Sequence, residues 1–444
     1  MARRRTRIPL SVYLNGRLVG QLRRQSSGAI DFQYDRSWLE WDSAIPVSLS
    51  MPLREDRYIG DPVIAVLENL LPDNEPIRRR LAERAHADGY DAYSLLAAVG
   101  RDCVGALQIL PEGTVPAPAG SIDARQVSDA EIADIVSGLG RNPLGIGDDE
   151  DFRISIAGAQ EKTALLYWKN TWHVPHGTTA TTHIFKPQIG QLPNGIDLSN
   201  SVENEYLCLK FVNALGIPAA NAEIADMAGQ RVLIIERFDR LWTRDQRLLR
   251  LPQEDCCQAL SVPPSRKYES EGGPGIRDIA ELLKGSDTPE ADQRTFFKAQ
   301  IVFWLLGATD GHAKNFSIRL APAGRFRLAP LYDVVSAQPS FDAKQIRKNQ
   351  MKLAMAIGTK RHYAVDTIAP RHFMQTAELC GLPSKMAAGV IEELGDIGKA
   401  KIDKTLERLP GGFPEVTAAS ISGAAKRRLD QLNSTQNHSA RGVP

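Results

Sequence analysis

A polar loop behind a long apolar segment limits the possible folds of this chain more than any other part of the sequence. The apolar run 297–306 has the composition of a buried helix, and Gly307 behind it is a typical helix end. The loop that follows carries Asp310 and Asn315, and Asp333 comes after two short β-like runs. Two carboxylates and one amide are the hard oxygen ligands that Mg²⁺ prefers, so this segment predicts a site for metal-bound phosphates.

The spacing of these polar residues favours a phosphotransferase. Asp310 and Asn315 stand five positions apart, as do the base and the metal-binding amide in the catalytic loop of protein kinases. Each residue alone also has an ordinary explanation, because Asp-Gly is a common turn and Asn often caps helices or loops. The order of helix, loop, strands at 316–320 and 325–328, and carboxylate makes Asp310 the predicted base, with Asn315 and Asp333 as metal ligands.

The composition is that of an ordinary globular protein. The 444 residues suffice for two or three domains, and the net charge of +1 gives no overall basic field for nucleic acid. The five cysteines lack metal-binding spacing, and their odd number argues against a disulfide framework, which predicts a reducing compartment. Neither a signal-length apolar core nor a run approaching a membrane span is present in the sequence, so we expect a cytoplasmic protein.

Local patterns divide the chain into five parts and predict an α+β fold. The first is an α+β module with a hairpin at Asn15-Gly16, and a linker with a connecting helix at 129–139 follows it. A strand-rich small lobe and an α-rich large lobe then form a kinase-like domain, and a disordered tail ends the chain. The predicted bounds are 1–110, 111–150, 151–260, 261–432 and 433–444.

The small lobe contains a lysine suited to phosphates. Pro187 biases Lys186 toward an extended conformation at a strand end, and a strand lysine can hold ATP phosphates. The helix that begins after Asn200 offers Glu205 as an ion-pair partner for this lysine. Glu203 competes for that role, and a glutamate in a first helical turn also simply suits the helix dipole.

Two further segments of this lobe suit a nucleotide. The small-residue loop 157–162 can cover phosphates, but it is a weak motif, because Glu161 stands where a P-loop has glycine, and an ordinary hairpin turn fits equally well. A hairpin over 222–235 leads into residues 236–240, where a hinge backbone can bind adenine while Phe238 packs nearby. A charged strand end is the alternative for this segment.

Taken together, these blocks resemble the HipA-type toxin kinases of bacterial type II toxin-antitoxin systems. The resemblance spans most of the chain and implies a serine/threonine kinase that uses ATP and Mg²⁺, with Asp310 as catalytic base. It rests on residues 69–73, 151–166, 182–186, 236–240, 250–255, 267–275 and 307–317. The ATP-binding positions that it implies are Ala157, Gly158, Ala159, Gln160, Glu161, Lys162, Lys186, Glu236, Arg237, Phe238, His312, Ala313, Lys314, Asn315, Tyr332 and Asp333.

The same resemblance implies regulation and partners. It makes Ser155 the site of autophosphorylation, and a phosphate there should switch the kinase off by repelling the nucleotide phosphates. It also implies a HipB-type helix-turn-helix antitoxin, through which contact with operator DNA is mainly indirect. The implied substrate is an aminoacyl-tRNA synthetase such as glutamyl-tRNA synthetase, whose phosphorylation would arrest translation and favour persistence. A small-molecule kinase and a non-catalytic ATP-binding corepressor remain as alternatives.

Overall fold

The computed structural model describes residues 8–139 and 160–439, with side chains up to Asn433. The described chain forms two compact units. The first unit contains residues 8–139, 160–187, 223–265 and 317–326, and the second contains residues 188–222, 266–316 and 327–439.

The helices and strands are numbered here in chain order over the described ranges. The helices are α1 Arg36–Leu39, α2 Asp61–Asn69, α3 Glu75–Arg84, α4 Ala92–Val99, α5 Asp129–Ser137, α6 Ser201–Ala214, α7 Cys256–Ala259, α8 Ile276–Leu283, α9 Pro289–Leu306, α10 Gln338–Asp342, α11 Pro370–Leu379, α12 Ser384–Leu406 and α13 Glu415–Ser439. The strands are β1 Leu10–Leu14, β2 Arg17–Arg24, β3 Ile30–Tyr34, β4 Tyr58–Ile59, β5 Leu107–Pro111, β6 Ala124–Val127, β7 Thr163–Trp168, β8 Thr171–Pro175, β9 His183–Pro187, β10 Gly190–Gln191, β11 Asp197–Leu198, β12 Ala222–Met227, β13 Gln230–Glu236, β14 Arg240–Trp242, β15 Leu248–Arg250, β16 Gln253–Asp255, β17 Ser317–Leu320, β18 Phe326–Leu328, β19 Lys352–Ile357 and β20 His362–Ala364.

The N-terminal part of the first unit is a five-stranded sheet in the order β4-β3-β2-β1-β5. The predicted hairpin joins β1 to β2, and Asn15 and Gly16 both have positive φ, as the tight turn requires. Trp38, Tyr93 and Leu96 belong to the core that the sheet shares with its helices. This part therefore has its own hydrophobic core.

A six-stranded sheet in the order β12-β13-β9-β7-β8-β6 forms the rest of the first unit's main framework. Helix α5 begins with a capping box between Ser128 and Glu131 and packs Ile132 against the core of this sheet. The helix predicted at 129–139 is confirmed, but the segment predicted as a linker contains β6, which pairs with β8 at the sheet edge. Two of its four residues are exposed, so it lacks the apolar alternation that marks a strand in sequence.

Helix α9 is the centre of the second unit. It contacts α6, α8, α12 and α13, which explains why its last six residues, 301–306, are all apolar and buried. Trp304 lies among them and donates a hydrogen bond from its indole nitrogen to the Val365 carbonyl (3.0 Å). The helix ends as predicted at Gly307, which has φ 65° and ψ 36°.

The C-terminal end of the second unit differs from the sequence prediction. The predicted tail starts at Asn433, whereas α13 continues as a helix to Ser439. Leu432 is buried, and the Asn433 side chain donates to the Gly395 carbonyl of α12 (3.1 Å), so tertiary packing carries the helix past the predicted boundary. Within the described ranges, none of the helices has the length and apolarity needed to span a membrane.

Candidate active site

Hydrogen bonds within the loop 310–315 of the second unit fix its conformation, and they converge on the backbone carbonyl of Asp310. The Asn315 side-chain nitrogen donates to the Asp310 carbonyl oxygen (2.7 Å), and the His312 amide donates to the same oxygen (2.9 Å). A short 3₁₀ helix, Ala313–Asn315, closes the loop. The five-residue spacing thus has a structural reason, because it lets the amide of Asn315 fold back onto Asp310.

The carboxylate of Asp310 is accessible, with 57% of the side chain exposed. Its Oδ1 accepts a hydrogen bond from the Tyr268 hydroxyl (2.5 Å) and lies 3.9 Å from His312 Nε2. The hydroxyl fixes one carboxylate oxygen while solvent reaches the group. This arrangement suits a base that must meet a substrate hydroxyl.

His312 supports this loop as a neutral side chain. It is buried, and its ring packs edge-on against Tyr268 with the centroids 4.9 Å apart. Burial lowers the pKa of His312, and the nearby Asp310 carboxylate opposes that effect. We therefore place an uncharged imidazole next to the predicted base at neutral pH.

Position 311 of the same loop must be glycine because its backbone packs directly against the ring of Phe303. A Cβ atom at this position would lie 2.2 Å from ring atoms of Phe303, which is buried in α9. The Asp-Gly pair of the sequence is therefore explained by packing of the loop against the helix.

Asp333 has a left-handed backbone conformation and follows Leu331 by two residues. Its φ is 57°, a left-handed value that is uncommon for residues other than glycine and that often marks functional sites. Leu331 forms a parallel bridge with Ala219, and the Tyr332 hydroxyl donates to the Lys314 carbonyl (2.9 Å). These contacts tie the segment that carries Asp333 to the catalytic loop.

The donor set of the second unit fits a magnesium ion that is shared with a nucleotide. Asn315 uses its side-chain nitrogen on Asp310, so its oxygen is the atom suited to a cation, and Asp333 adds a carboxylate. The residues that the structure describes contain no group of three or more His, Cys, Asp or Glu that could hold a metal alone. Few protein ligands are the rule for Mg²⁺, which completes its octahedron with phosphates and water.

The described phosphate-binding candidates of the first unit lie in β9 or directly before β7 of its six-stranded sheet. Lys186 is buried at the end of β9 and faces Leu233 of β13 across the ladder. Lys162, just before β7, is also buried. Gln160 donates to the Pro187 carbonyl (3.4 Å), and Glu161 pairs with Arg80 of α3 (3.1 Å). The end of the predicted phosphate loop is thus attached to β9 and to the N-terminal part.

The predicted hinge follows β13 directly. Glu236 is exposed at the end of the strand, and the Arg237 amide continues the ladder by donating to the Thr182 carbonyl (2.9 Å). The Arg237 side chain turns inward to Asp239 (2.6 Å), so its guanidinium is used inside the protein. The guanidinium of Arg319 lies 5.3 Å from the ring of Phe238.

Some predicted positions lie outside the described residues or in different units. Ser155, Ala157, Gly158 and Ala159 are outside the described ranges. Lys186 belongs to the first unit, whereas Glu203 and Glu205 are buried in α6 of the second. Glu203 accepts a hydrogen bond from Gln188 (2.7 Å). The pairing of Lys186 with a glutamate of this helix stays a prediction.

Comparison with known proteins places the chain in a family. A model described as the HipA-like C-terminal domain matches residues 154–401, and one described as the HipA N-terminal domain matches residues 10–110. The chain belongs to the HipA family. The resemblance inferred from the catalytic-loop and hinge blocks is therefore confirmed.

Individual relatives agree with this membership. "Putative kinase Y4mE" of Sinorhizobium fredii is 36% identical over 79% of this chain and 81% of the relative. "Serine/threonine-protein kinase toxin HipA" of Shewanella oneidensis is 28% identical over 79% of this chain and 78% of the relative. At the level of the family, the prediction of a serine/threonine-protein kinase toxin is confirmed.

A solved structure confirms the predicted fold class. It is that of Shewanella oneidensis HipA in a complex with HipB and operator DNA, with a TM-score of 0.79 and 24% sequence identity. The match covers 96% of this chain and 99% of the other. The HipA-family chain therefore has the predicted α+β architecture of an N-terminal module and a kinase-like domain.

Tyr268 contacts the predicted base, although its sequence position gives no sign of this role. It stands in the block 267–275, which carried the family resemblance, but nothing in that block indicates a partner. Its contact with Asp310 joins residues 42 positions apart, and only the folded chain reveals it.

We expect Tyr268→Phe to lower kcat by roughly tenfold and to leave the KM for ATP unchanged, because a hydrogen bond to a charged group contributes about 1.5–3 kcal/mol. The change removes one hydroxyl and keeps the ring that packs on His312. Steady-state kinetics would measure the effect. Tyr363→Phe is a matched control, since that hydroxyl contacts Arg361 (2.9 Å), and an equal loss in both variants would contradict the role of Tyr268.

Proposed function

We propose that this HipA-family chain transfers the γ-phosphate of ATP to a hydroxyl of a protein serine or threonine. One observation carries the proposal: the exposed Asp310 carboxylate is held by Tyr268, and the side chain of Asn315 holds the Asp310 backbone five residues away. This geometry presents a base at the surface and leaves an amide oxygen for a cation. Asp310 takes the proton from the substrate hydroxyl as that hydroxyl attacks.

The remaining predicted residues have distinct roles in this reaction. Asn315 and Asp333 hold Mg²⁺, which neutralises charge on the phosphates when it is bound. Lys186 and the segment ending at Lys162 bind phosphate oxygens, a role that the family resemblance implies for both buried lysines. The adenine base meets the backbone and ring of residues 236–238.

The other proposed ATP contacts come from the loop and from the segment after it. His312 to Lys314 line the nucleotide side of the loop, and Tyr332 fixes their backbone through Lys314. Gln160 and Glu161 end the phosphate loop that begins at Ala157. We propose these individual ATP contacts because the family resemblance implies them and because the described residues lie in the loop and strands named above.

The proposed substrate is an aminoacyl-tRNA synthetase, with glutamyl-tRNA synthetase as the first protein to test. Phosphorylation of such an enzyme would deprive translation of one charged tRNA and arrest growth, which is consistent with a toxin of this family. The support for this step is the membership in the HipA family. A cytoplasmic site of action fits this substrate.

We also propose that Ser155 is autophosphorylated and that the modification inactivates the enzyme. A phosphate group adds nearly two negative charges next to the proposed position of the ATP phosphates. Repulsion between these groups would displace the phosphate loop from the nucleotide.

A HipB-type antitoxin is the proposed partner. The Shewanella oneidensis HipA that this chain matches in fold was solved with HipB and operator DNA. By analogy, we propose that a helix-turn-helix protein supplies most of the contact with DNA. The near-neutral charge of this chain supports an indirect role for DNA.

The test is incubation of the full-length protein with Mg²⁺ and γ-labelled ATP, alone and with purified glutamyl-tRNA synthetase. Wild-type protein should label itself and the synthetase, whereas Ser155→Ala should lose its own label and keep labelling the synthetase. Label on the synthetase without any on the kinase would contradict autophosphorylation alone. Tight ATP binding with no labelled protein in either reaction would overturn the proposed protein kinase.

A further inference from the structure

A buried group of charged side chains lies behind the predicted hinge of the first unit. It consists of two aspartates and three arginines whose side chains are almost entirely buried, and it is called the charge cluster below. Its members are Asp102, Arg237, Asp239, Arg240 and Arg250. Asp102 lies in the segment matched by the N-terminal domain model, whereas the other four lie in the segment matched by the C-terminal one. The cluster therefore links the two domains inside one compact unit.

Asp102 binds two arginines of the charge cluster directly and reaches the third through the hydroxyl of Thr181. Its Oδ1 accepts hydrogen bonds from Arg250 Nε (2.8 Å) and Arg240 Nη2 (3.1 Å). Its Oδ2 accepts one from the Thr181 hydroxyl (3.2 Å), and that hydroxyl accepts one from Arg237 Nη1 (3.0 Å). A single carboxylate of the N-terminal domain is thus connected to all three arginines.

The backbone near Asp102 reinforces the connection. The Gly105 amide donates to Asp239 Oδ2 (2.8 Å), and the Gly105 carbonyl accepts from Arg240 Nη1 (2.8 Å). Gly105 has φ 73°, and a Cβ atom there would lie 2.6 Å from the Gln253 carbonyl oxygen. Only glycine allows this approach, so the segment 102–105 is fitted closely to the residues behind the hinge.

Two arginines of the charge cluster belong to the predicted hinge segment itself, so the cluster can fix the conformation of that segment. Arg237 and Arg240 flank Phe238 and Asp239 in the chain, and Arg237 also binds Asp239 through two nitrogens (2.9 and 2.6 Å). Fixing both guanidinium groups fixes the backbone between them, which is the segment that follows β13. Buried ion pairs are seldom more stabilising than apolar packing of the same volume, but removal of one partner leaves an uncompensated buried charge.

The balance of charge makes the cluster sensitive to loss of a carboxylate. Three guanidinium groups share two aspartates, and burial lowers the pKa of Arg240 to about 10, with Arg237 acting in the same direction. Arg240 is still protonated at neutral pH. Removing the charge of Asp102 would therefore leave buried arginines repelling each other beside the hinge.

We propose that Asp102 is a positioning residue of the kinase, which fixes the hinge segment 236–240 from the N-terminal domain in the conformation that receives adenine. The inference rests on the proposed function, because that function assigns residues 236–238 to the adenine base. It gives the N-terminal domain a part in nucleotide binding that acts through the hinge.

The first test is the variant Asp102→Asn in the full-length protein, with Mg-ATP binding measured by calorimetry and turnover measured by steady-state kinetics. We expect ATP to bind about tenfold more weakly or worse, since each hydrogen bond to a charged group carries roughly this factor. The kcat at saturating ATP should stay within about twofold, because bound nucleotide restores the hinge conformation. The result to look for is a rise in KM without an equal fall in kcat.

Two further variants separate positioning from general stability. Thr181→Val removes the hydroxyl between Asp102 and Arg237 without removing a charge, so it should fold and still weaken ATP binding, by a smaller factor than Asp102→Asn. Asp91→Asn is the matched control, because Asp91 pairs with the buried Arg24 and caps α4 in the N-terminal part. It should lower the melting temperature and leave the affinity for ATP unchanged.

The outcomes distinguish this inference from the function on which it rests. Wild-type protein that fails to bind Mg-ATP would overturn the proposed function and the inference together. Wild-type binding with unchanged affinity in folded Asp102→Asn or Thr181→Val would overturn the inference alone. An equal loss of affinity in Asp91→Asn would also overturn it, since the effect would then follow stability.

Discussion

Replacing Asp310 with asparagine is expected to slow phosphoryl transfer by roughly 10²- to 10⁴-fold, because an amide cannot take the proton of the attacking hydroxyl. Asparagine has the same shape, and its side-chain oxygen can still accept the hydrogen bond from Tyr268. The bonds that His312 and Asn315 make to the backbone carbonyl of residue 310 do not involve the carboxylate. The affinity for Mg-ATP should therefore change little while the chemical step fails.

Single-turnover transfer from γ-labelled ATP and calorimetric ATP binding would measure these two quantities separately. Asp366→Asn is a suitable control, because it neutralises another carboxylate of the second unit, one that pairs with Lys348 (2.7 Å). The control should transfer phosphate at the wild-type rate. Wild-type transfer by Asp310→Asn would rule out Asp310 as the base, and loss of ATP binding in that variant would point to a collapsed loop instead.

The end of α9 and the polar loop behind it could be predicted from sequence because their determinants are local. The apolar end of α9, the left-handed Gly307 and the five-residue spacing of Asp310 and Asn315 all lie within one short stretch. The hairpin at Asn15-Gly16 was predictable for the same reason, since only the turn residues decide it. Local patterns of this kind determine elements and their order.

Contacts between distant parts of the chain could not be predicted in this way. Asp102 and Arg250 are 148 positions apart, and the Tyr268 hydroxyl reaches Asp310 over 42 positions. Neither pair has a spacing rule, because the contact depends on how whole elements pack. The same limit explains β6, a short polar strand that is stabilised only by pairing with β8.

A buried glutamate of the first unit is expected to control the pH dependence of stability. Glu254 on β16 is 1% exposed, and its Oε1 accepts a hydrogen bond from the Leu49 amide (2.8 Å). Its Oε2 is buried, with no hydrogen-bond partner among the described residues. Burial raises the pKa of Glu254 to about 8, from an ordinary value of 4.5. The folded protein therefore holds a proton there at neutral pH that the unfolded chain has released.

The sign of the effect follows from this difference in bound protons. Between pH 4.5 and about 8 the folded state binds more protons at Glu254 than the unfolded state, so stability falls as pH rises through this window. The loss is about 1.4 kcal/mol per pH unit where the difference is complete. His183 and His312, whose pKa values burial lowers from 6.5, act in the opposite direction, but they contribute little above pH 6.5.

The variant Glu254→Gln keeps the size of the side chain and removes its titration, so its free energy of unfolding should fall less between pH 6.5 and 8. We expect the difference from wild type to be roughly 2 kcal/mol over this range, measured by denaturant unfolding. Glu40→Gln, which removes an exposed carboxylate paired with Arg36, is the control and should keep the wild-type slope. Parallel pH profiles for wild type and Glu254→Gln would show that Glu254 is ionised in the folded protein. The buried carboxylate would then need a compensating positive charge near Leu49 and Asp255. The hydrogen bond from the Leu49 amide, which attaches β16 to the N-terminal part, would then be made to a charged group.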